Sequence, residues 1–130
     1  MPQATDVIVK NGANVDKTFT LINPASGLGG IASWALKEGA ISAVFPTMTA
    51  MATRSASGMR TLQLKIALPS SYTDTVTGLT NVSSRTEVHV TVRVPDTFPE
   101  SLKNDHVAFA ANLVNSVLVK SLIRDAVPAT

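Results

Sequence analysis

The chain has 130 residues, 45% of them apolar and 15% charged, with a formal net charge of +2 and no cysteine. That balance fits one folded domain and excludes a disordered chain, and it is thin in charge for a monomer that must solubilise its whole surface. Without cysteine there is neither a disulfide framework nor a thiolate metal site.

The amino terminus, Met1-Pro2-Gln3-Ala4-Thr5-Asp6, lacks the basic and apolar regions of a signal peptide, which predicts a cytoplasmic origin. The longest apolar stretch, Gly39 to Ala52, is broken by Pro46 and several threonines, so no membrane partner is expected. Charge is uneven along the chain. Residues 45–95 hold Arg54, Arg60, Lys65, Arg85 and Arg93 against Asp74 and Glu87, while the segments on either side are neutral or slightly acidic. A mild local excess of this kind suits a polyanion spread over many subunits, and it also fits an ordinary solvated surface.

Thr5 to Lys10 and Lys17 to Ile22 are short β-prone runs separated by Asn11-Gly12-Ala13-Asn14, which predicts a hairpin. Asn23-Pro24 and the glycines Gly27, Gly29 and Gly30 mark a loop, and Ile31 to Leu36 reads equally as a strand or a short helix. Thr47 to Thr53 then alternates, with Thr47, Thr49, Met51 and Thr53 on one face and Met48, Ala50 and Ala52 on the other. After the turn Ser55-Ala56-Ser57-Gly58, Thr61, Gln63, Lys65 and Ala67 oppose Leu62, Leu64, Ile66 and Leu68. Glu87 to Val94 repeats the pattern, with Glu87, His89, Thr91 and Arg93 opposed to four valines. Period-two alternation marks an antiparallel sheet with one buried and one wet face. Between these last two strands, Pro69 to Ser84 reads as a long polar loop, and long loops are usually functional or mobile.

The period changes at the carboxy-terminal end. Pro99 and Glu100 suit a helix start, and Val107, Ala110, Ala111, Val114 and Leu118 form one apolar stripe beside a second of Phe109, Leu113 and Val117. Together they span about 200° of a single helix, twice the usual width of a surface helix. A second short helix is expected near Ser121 to Val127, ending at Pro128. So wide a stripe needs apolar cover on two sides. The chain's own sheet is one source, and a partner subunit is the simplest other, with burial within the monomer by a further strand as the alternative.

This order of elements resembles the coat proteins of single-stranded RNA bacteriophages. The resemblance covers essentially the whole chain, 1–130, with a sheet region at 1–95 that includes the loop 69–84 and a helical dimerisation region at 96–130. It is carried by Gly30-Ile31-Ala32-Ser33-Trp34 after a Gly-rich loop, by the two alternating strands ending at Pro69, and by Glu87 to Pro95. The tail adds Ala108-Phe109-Ala110-Ala111-Asn112-Leu113-Val114 and Leu122-Ile123-Arg124-Asp125-Ala126-Val127. No single piece is a signature, and the match lies in their order and spacing.

The resemblance implies an α+β fold: an antiparallel sheet with an amino-terminal hairpin and two carboxy-terminal helices, intertwined as a dimer with one continuous sheet. It implies a homodimer that assembles into an icosahedral shell in the host cytoplasm and holds single-stranded RNA on its inner sheet face. The long loop would meet its copies at the symmetry axes. The RNA-facing positions carried over are Thr47, Thr49, Thr53, Arg54, Arg60, Thr61, Gln63, Lys65, His89, Thr91 and Arg93, and the dimer positions are Val107, Ala110, Leu113, Val114, Val117 and Leu118. Lys65 and Arg93 suit phosphates, the threonines and Gln63 suit bases or sugars, and His89 is either a stacking ring or merely solvated. A tyrosine on which some relatives stack a base falls on Glu87, an acid that repels phosphate, while Met51 and Ala67 stand at positions often polar. General RNA packaging is therefore expected ahead of recognition of one hairpin, with translational repression as a further hypothesis.

No enzyme, cofactor or small-molecule substrate is expected. His89 and His106 lie on different elements without a carboxylate spacing that makes a triad, and Gly27-Leu28-Gly29-Gly30 lacks the Lys-Ser/Thr of a phosphate loop. Two rival classes stand beside the coat reading. A dimeric RNA-binding regulator that never assembles would show a denser basic or aromatic face. A purely structural β-protein would elute without RNA.

Overall fold

Asn11 begins the first chain reversal. Its side-chain carbonyl accepts from the backbone N–H groups of Ala13 and Val15 (both 3.0 Å), and Asn14 takes up φ +62°, which asparagine tolerates better than most residues. The runs on either side pair as strands β1 (Val7–Lys10) and β2 (Asp16–Asn23), closed at the turn by an ion pair between Lys10 and Asp16 at 2.7 Å. The computed structural model describes residues 2–130, and the chain divides into two compact units between Pro95 and Asp96.

The first unit continues through β3 (Ile31–Ala35), β4 (Thr47–Arg54), β5 (Met59–Thr73) and β6 (Thr80–Pro95). All neighbours pair antiparallel in the order β1 to β6, a simple meander that leaves β6 at one edge. Ile31–Ala35, undecided by propensity, is a strand. Its alternate residues Ala32 and Trp34 are buried, and the Trp34 indole N–H donates to the Thr5 carbonyl at 2.8 Å. The rest of the buried set is Ala35, Val44 and Ala67. Val44 belongs to a 3₁₀ turn, Ser42–Val44, and it lies against Gly39, where the backbone has φ +141° and a Cβ would collide with the valine methyl.

The β4–β5 turn is made by Ser55–Gly58. The Gly58 N–H donates to the Ser55 carbonyl, and Gly58 adopts φ +83°, a conformation open to glycine at little cost. The expected loop at 69–84 is corrected by the structure. β5 and β6 keep pairing from Pro69↔Arg85 to Thr73↔Thr80, with one bulge at Ser70/Ser71, and only Asp74–Leu79 lie outside the strands. Hydroxyl pairs knit this arm: Ser70 with Ser83 at 2.6 Å, Ser84 with Ser70 at 3.3 Å, and Thr73 with Thr80 at 3.3 Å. At the tip the Asp74 carboxylate accepts from the N–H groups of Val76 and Thr77. A serine- and threonine-rich composition hid these strands, because neither face is apolar enough to show a period of two.

The second unit, Asp96–Thr130, begins with a 3₁₀ turn at Glu100–Leu102 and holds α1 (Lys103–Val114) and α2 (Val117–Asp125). Phe98 meets His106 edge-on, with ring centroids 6.4 Å apart. Here too the sequence expectation is corrected. The apolar stripes do not run along one helix: the chain bends by 58° between Val114 and Val117, so Val117 and Leu118 belong to α2, which starts well before Ser121. Ser116 causes the break. Its hydroxyl donates to the Leu113 carbonyl at 2.8 Å and accepts from the Val119 N–H at 3.4 Å, finishing one helix and capping the next. Ala126, with φ +51°, ends α2. No residue of either helix is buried.

Candidate nucleic-acid interface

The pairing register brings the alternating polar residues of β4, β5 and β6 into rows. One row reads Thr47, Ala67, Glu87; the next Thr49, Lys65, His89; then Met51, Gln63, Thr91; and last Thr53, Thr61, Arg93. β3 extends the face with Ala35, Ser33 and Ile31, opposite Thr47, Thr49 and Met51. The sequence pattern missed these three because Ile31-Ala32-Ser33-Trp34-Ala35 has no polar alternation to betray its faces. Gln63, Lys65, His89, Thr91 and Arg93 are exposed, while Thr49, Met51, Thr53 and Thr61 are half-buried. A shallow concavity of about 300 Å³ lies here, lined on this face by Ile31, Thr49, Met51, Gln63, Lys65, His89 and Thr91. It is large enough for a nucleobase, with an apolar side at Ile31 and Met51 and hydrogen-bonding groups around the rest.

Arg54 and Arg60 stand apart from this grouping. They pair with each other at the last rung before the turn, one residue out of step with Thr53 and Thr61, so the alternation carries them to the opposite face. That face holds Met48, Ala50, Ala52, Leu62, Leu64, Ile66, Val88, Val90 and Val92. Much of it is open: Leu62, Val88 and Val90 are each close to 40% exposed.

The electrostatics of the polar face centre on Glu87. One carboxylate oxygen lies 3.2 Å from the Lys65 ammonium and the other 3.2 Å from the His89 Nε2. Hydrogen bonds from His89 and from Lys65, with the charge of Lys65 behind them, hold the Glu87 carboxyl below the ordinary glutamate value. The lysine expected to meet phosphate therefore already has an anionic neighbour. Sequence reading placed Glu87 on this face as a repelling acid, but the two side chains it engages depend on cross-strand register. No group of three or more His, Asp or Glu able to hold a metal occurs among the described residues.

The levivirus coat protein family model matches residues 2–129 of this chain. The chain belongs to that family. It is a coat protein of the single-stranded RNA phage type. Its fold is similar to the virus-like particle subunit of bacteriophage NT-214, at 23% identity, 99% coverage of this chain, 100% of that one and a TM-score of 0.86. The corresponding figures for the virus-like particle of Beihai levi-like virus 21 are 14%, 99%, 99% and 0.86. The bacteriophage GA capsid protein follows at 15%, 93%, 94% and 0.73. Comparison with curated proteins returns no match.

Proposed function

We propose that this coat protein acts as a homodimer that assembles into an icosahedral shell and holds single-stranded RNA against the polar face of β3–β6. The observation that carries this reading is the two-sided character of the sheet. One face presents Lys65, Arg93, His89, Gln63 and the threonines in register, and the other presents apolar side chains that the single chain leaves open. On the helices, Val107, Ala110, Leu113, Val114, Val117 and Leu118 are all exposed, from 53% at Val114 to 84% at Val117 among the larger side chains. Exposed apolar area on that scale in a soluble chain calls for a partner. β6 is an edge strand of 16 residues, and pairing it with the same strand of a second copy removes an aggregation-prone edge. Residues 1–130 thus work as one coat domain, with 1–95 supplying the sheet and 96–130 the helices that cover the partner's apolar face.

Lys65 and Arg93 meet phosphates, and Thr49, Gln63 and Thr91 around the concavity meet bases or sugars of unstacked nucleotides. The relatives solved as virus-like particles support the assembly reading. The functional location is then the virion, with assembly in the host cytoplasm. The test is expression of the chain alone in bacteria, followed by size exclusion at 260 and 280 nm and electron microscopy of the leading peak. Uniform shells with a nuclease-resistant 260 nm excess are expected. A dimer that never assembles across salt and added RNA would replace the shell with an RNA-binding regulator, and a monomer free of RNA would end the proposal. Repression through a specific hairpin requires preference for the phage's own replicase-start hairpin over scrambled hairpins.

A further inference from the structure

We propose that Glu87 is a resident competitor for the Lys65 ammonium, which RNA phosphate must displace, and that His89 sets how firmly the carboxylate stays there. The inference rests on the reading of this face as the RNA surface.

Three observations support it. In the register Glu87 lies opposite Ala67, and His89 opposite Lys65, so the carboxylate reaches diagonally across the strands to the lysine and along its own strand to the histidine. Each carboxylate oxygen has one of the two as its partner, at 3.2 Å. Glu87 is also the one acid on the paired rows from Thr47 to Arg93, where the cations are Lys65 and Arg93. The groups surrounding it are accounted for on every side. β4 offers the uncharged Thr47 and Thr49, β5 offers Lys65, β6 offers His89 and, at the next alternate position, Arg85, and the Ser42–Val44 turn has no titratable side chain.

A carboxylate and a phosphate oxygen want the same thing from an ammonium group, a charge-assisted hydrogen bond. While Glu87 is in place, a phosphate gains Lys65 only by releasing a negative group into its own neighbourhood. The imidazole and the ammonium share the carboxylate, one oxygen each, so His89 draws part of its hydrogen bonding away from Lys65. For a shell subunit, moderate affinity per site favours correctable packing of many sequences over tight binding at one.

The test uses the purified full-length chain below its assembly concentration and a fluorescein-labelled 20-nucleotide oligouridine, read by anisotropy across salt at pH 8. Glu87→Gln, Lys65→Gln, the double variant, Arg93→Gln and His89→Gln are compared, all at exposed positions that circular dichroism can check for folding. Glu87→Gln is expected to tighten binding about three- to tenfold at pH 8 and to steepen the salt dependence by about 0.7 in log–log slope, the value of one more phosphate contact on a single strand. Most of that gain should vanish in the Lys65→Gln background, because a competitor matters only where its site exists. His89→Gln, which leaves the carboxylate to Lys65 alone, should weaken binding, and that loss should disappear in the Glu87→Gln background. An equal gain with and without Lys65 would reduce Glu87 to simple repulsion and overturn the proposal, as would no gain at all. If neither Lys65→Gln nor Arg93→Gln weakens binding, the RNA-face reading itself falls.

Discussion

Replacing Leu113 by alanine tests whether the exposed helical face is a subunit interface. Leu113 lies in the last turn of α1 and is 64% exposed, so about two-thirds of its side chain remains to be covered by another molecule. The substitution removes three carbons, worth about 0.8 kcal/mol each when fully buried, or about 1.5 kcal/mol for the uncovered fraction. A two-fold dimer contains the site twice, which gives about 3 kcal/mol and a rise in the dimer dissociation constant on the order of a hundredfold. Alanine is the better helix former, so the helix itself gains rather than loses. The assay is sedimentation over a dilution series. If the monomer does not fold alone, the concentration dependence of the urea midpoint serves instead. A dissociation constant unchanged within threefold, with helicity intact, would refute the claim that this face is buried between subunits.

Three further predictions concern the sheet unit. Trp34→Phe removes the hydrogen bond to the Thr5 carbonyl and part of a buried ring, and should cost about 2 kcal/mol in urea unfolding followed by circular dichroism. The far-ultraviolet signal is required because Trp34 is the only tryptophan. Gly39→Ala places a methyl against Val44 at φ +141°, and the collision should cost about 1–3 kcal/mol, lowering the thermal midpoint by several degrees; no shift would mean that the 36–46 segment is not held as described. The lowered pKa of Glu87 carries a definite sign. A carboxyl depressed in the folded state adds stability above its unfolded value of about 4.5 and loses it as pH falls through the lower folded value. The stability difference between the natural chain and Glu87→Gln should thus narrow on acidification below pH 4.5, as checked by urea midpoints.

What the sequence alone determined is what is local in cause. The alternation over Thr47–Thr53, Thr61–Leu68 and Glu87–Val94 assigned the strands and which residues share a face, because side chains alternate along a strand. Which face is buried did not follow, since Ala67 of the polar face is buried while Leu62, Leu68, Val88 and Val90 of the apolar face are exposed. The turns at Asn11–Asn14 and Ser55–Gly58 were likewise legible from asparagine and glycine. Tertiary structure decided the rest. Ile31–Ala35 became a strand because β2 and β4 pair with it on either side, with Ala32 and Trp34 buried, which its own residues do not reveal. The polar arm of β5 and β6 exists because hydroxyls pair across strands, which no single strand reveals. The helix broke at Ser116 because its hydroxyl could serve Leu113 and Val119 together, a choice between continuing and capping that spacing leaves open. The union of Glu87 with Lys65 and His89 depends on register: residues 22 apart in the chain meet only when two strands lie side by side in one alignment.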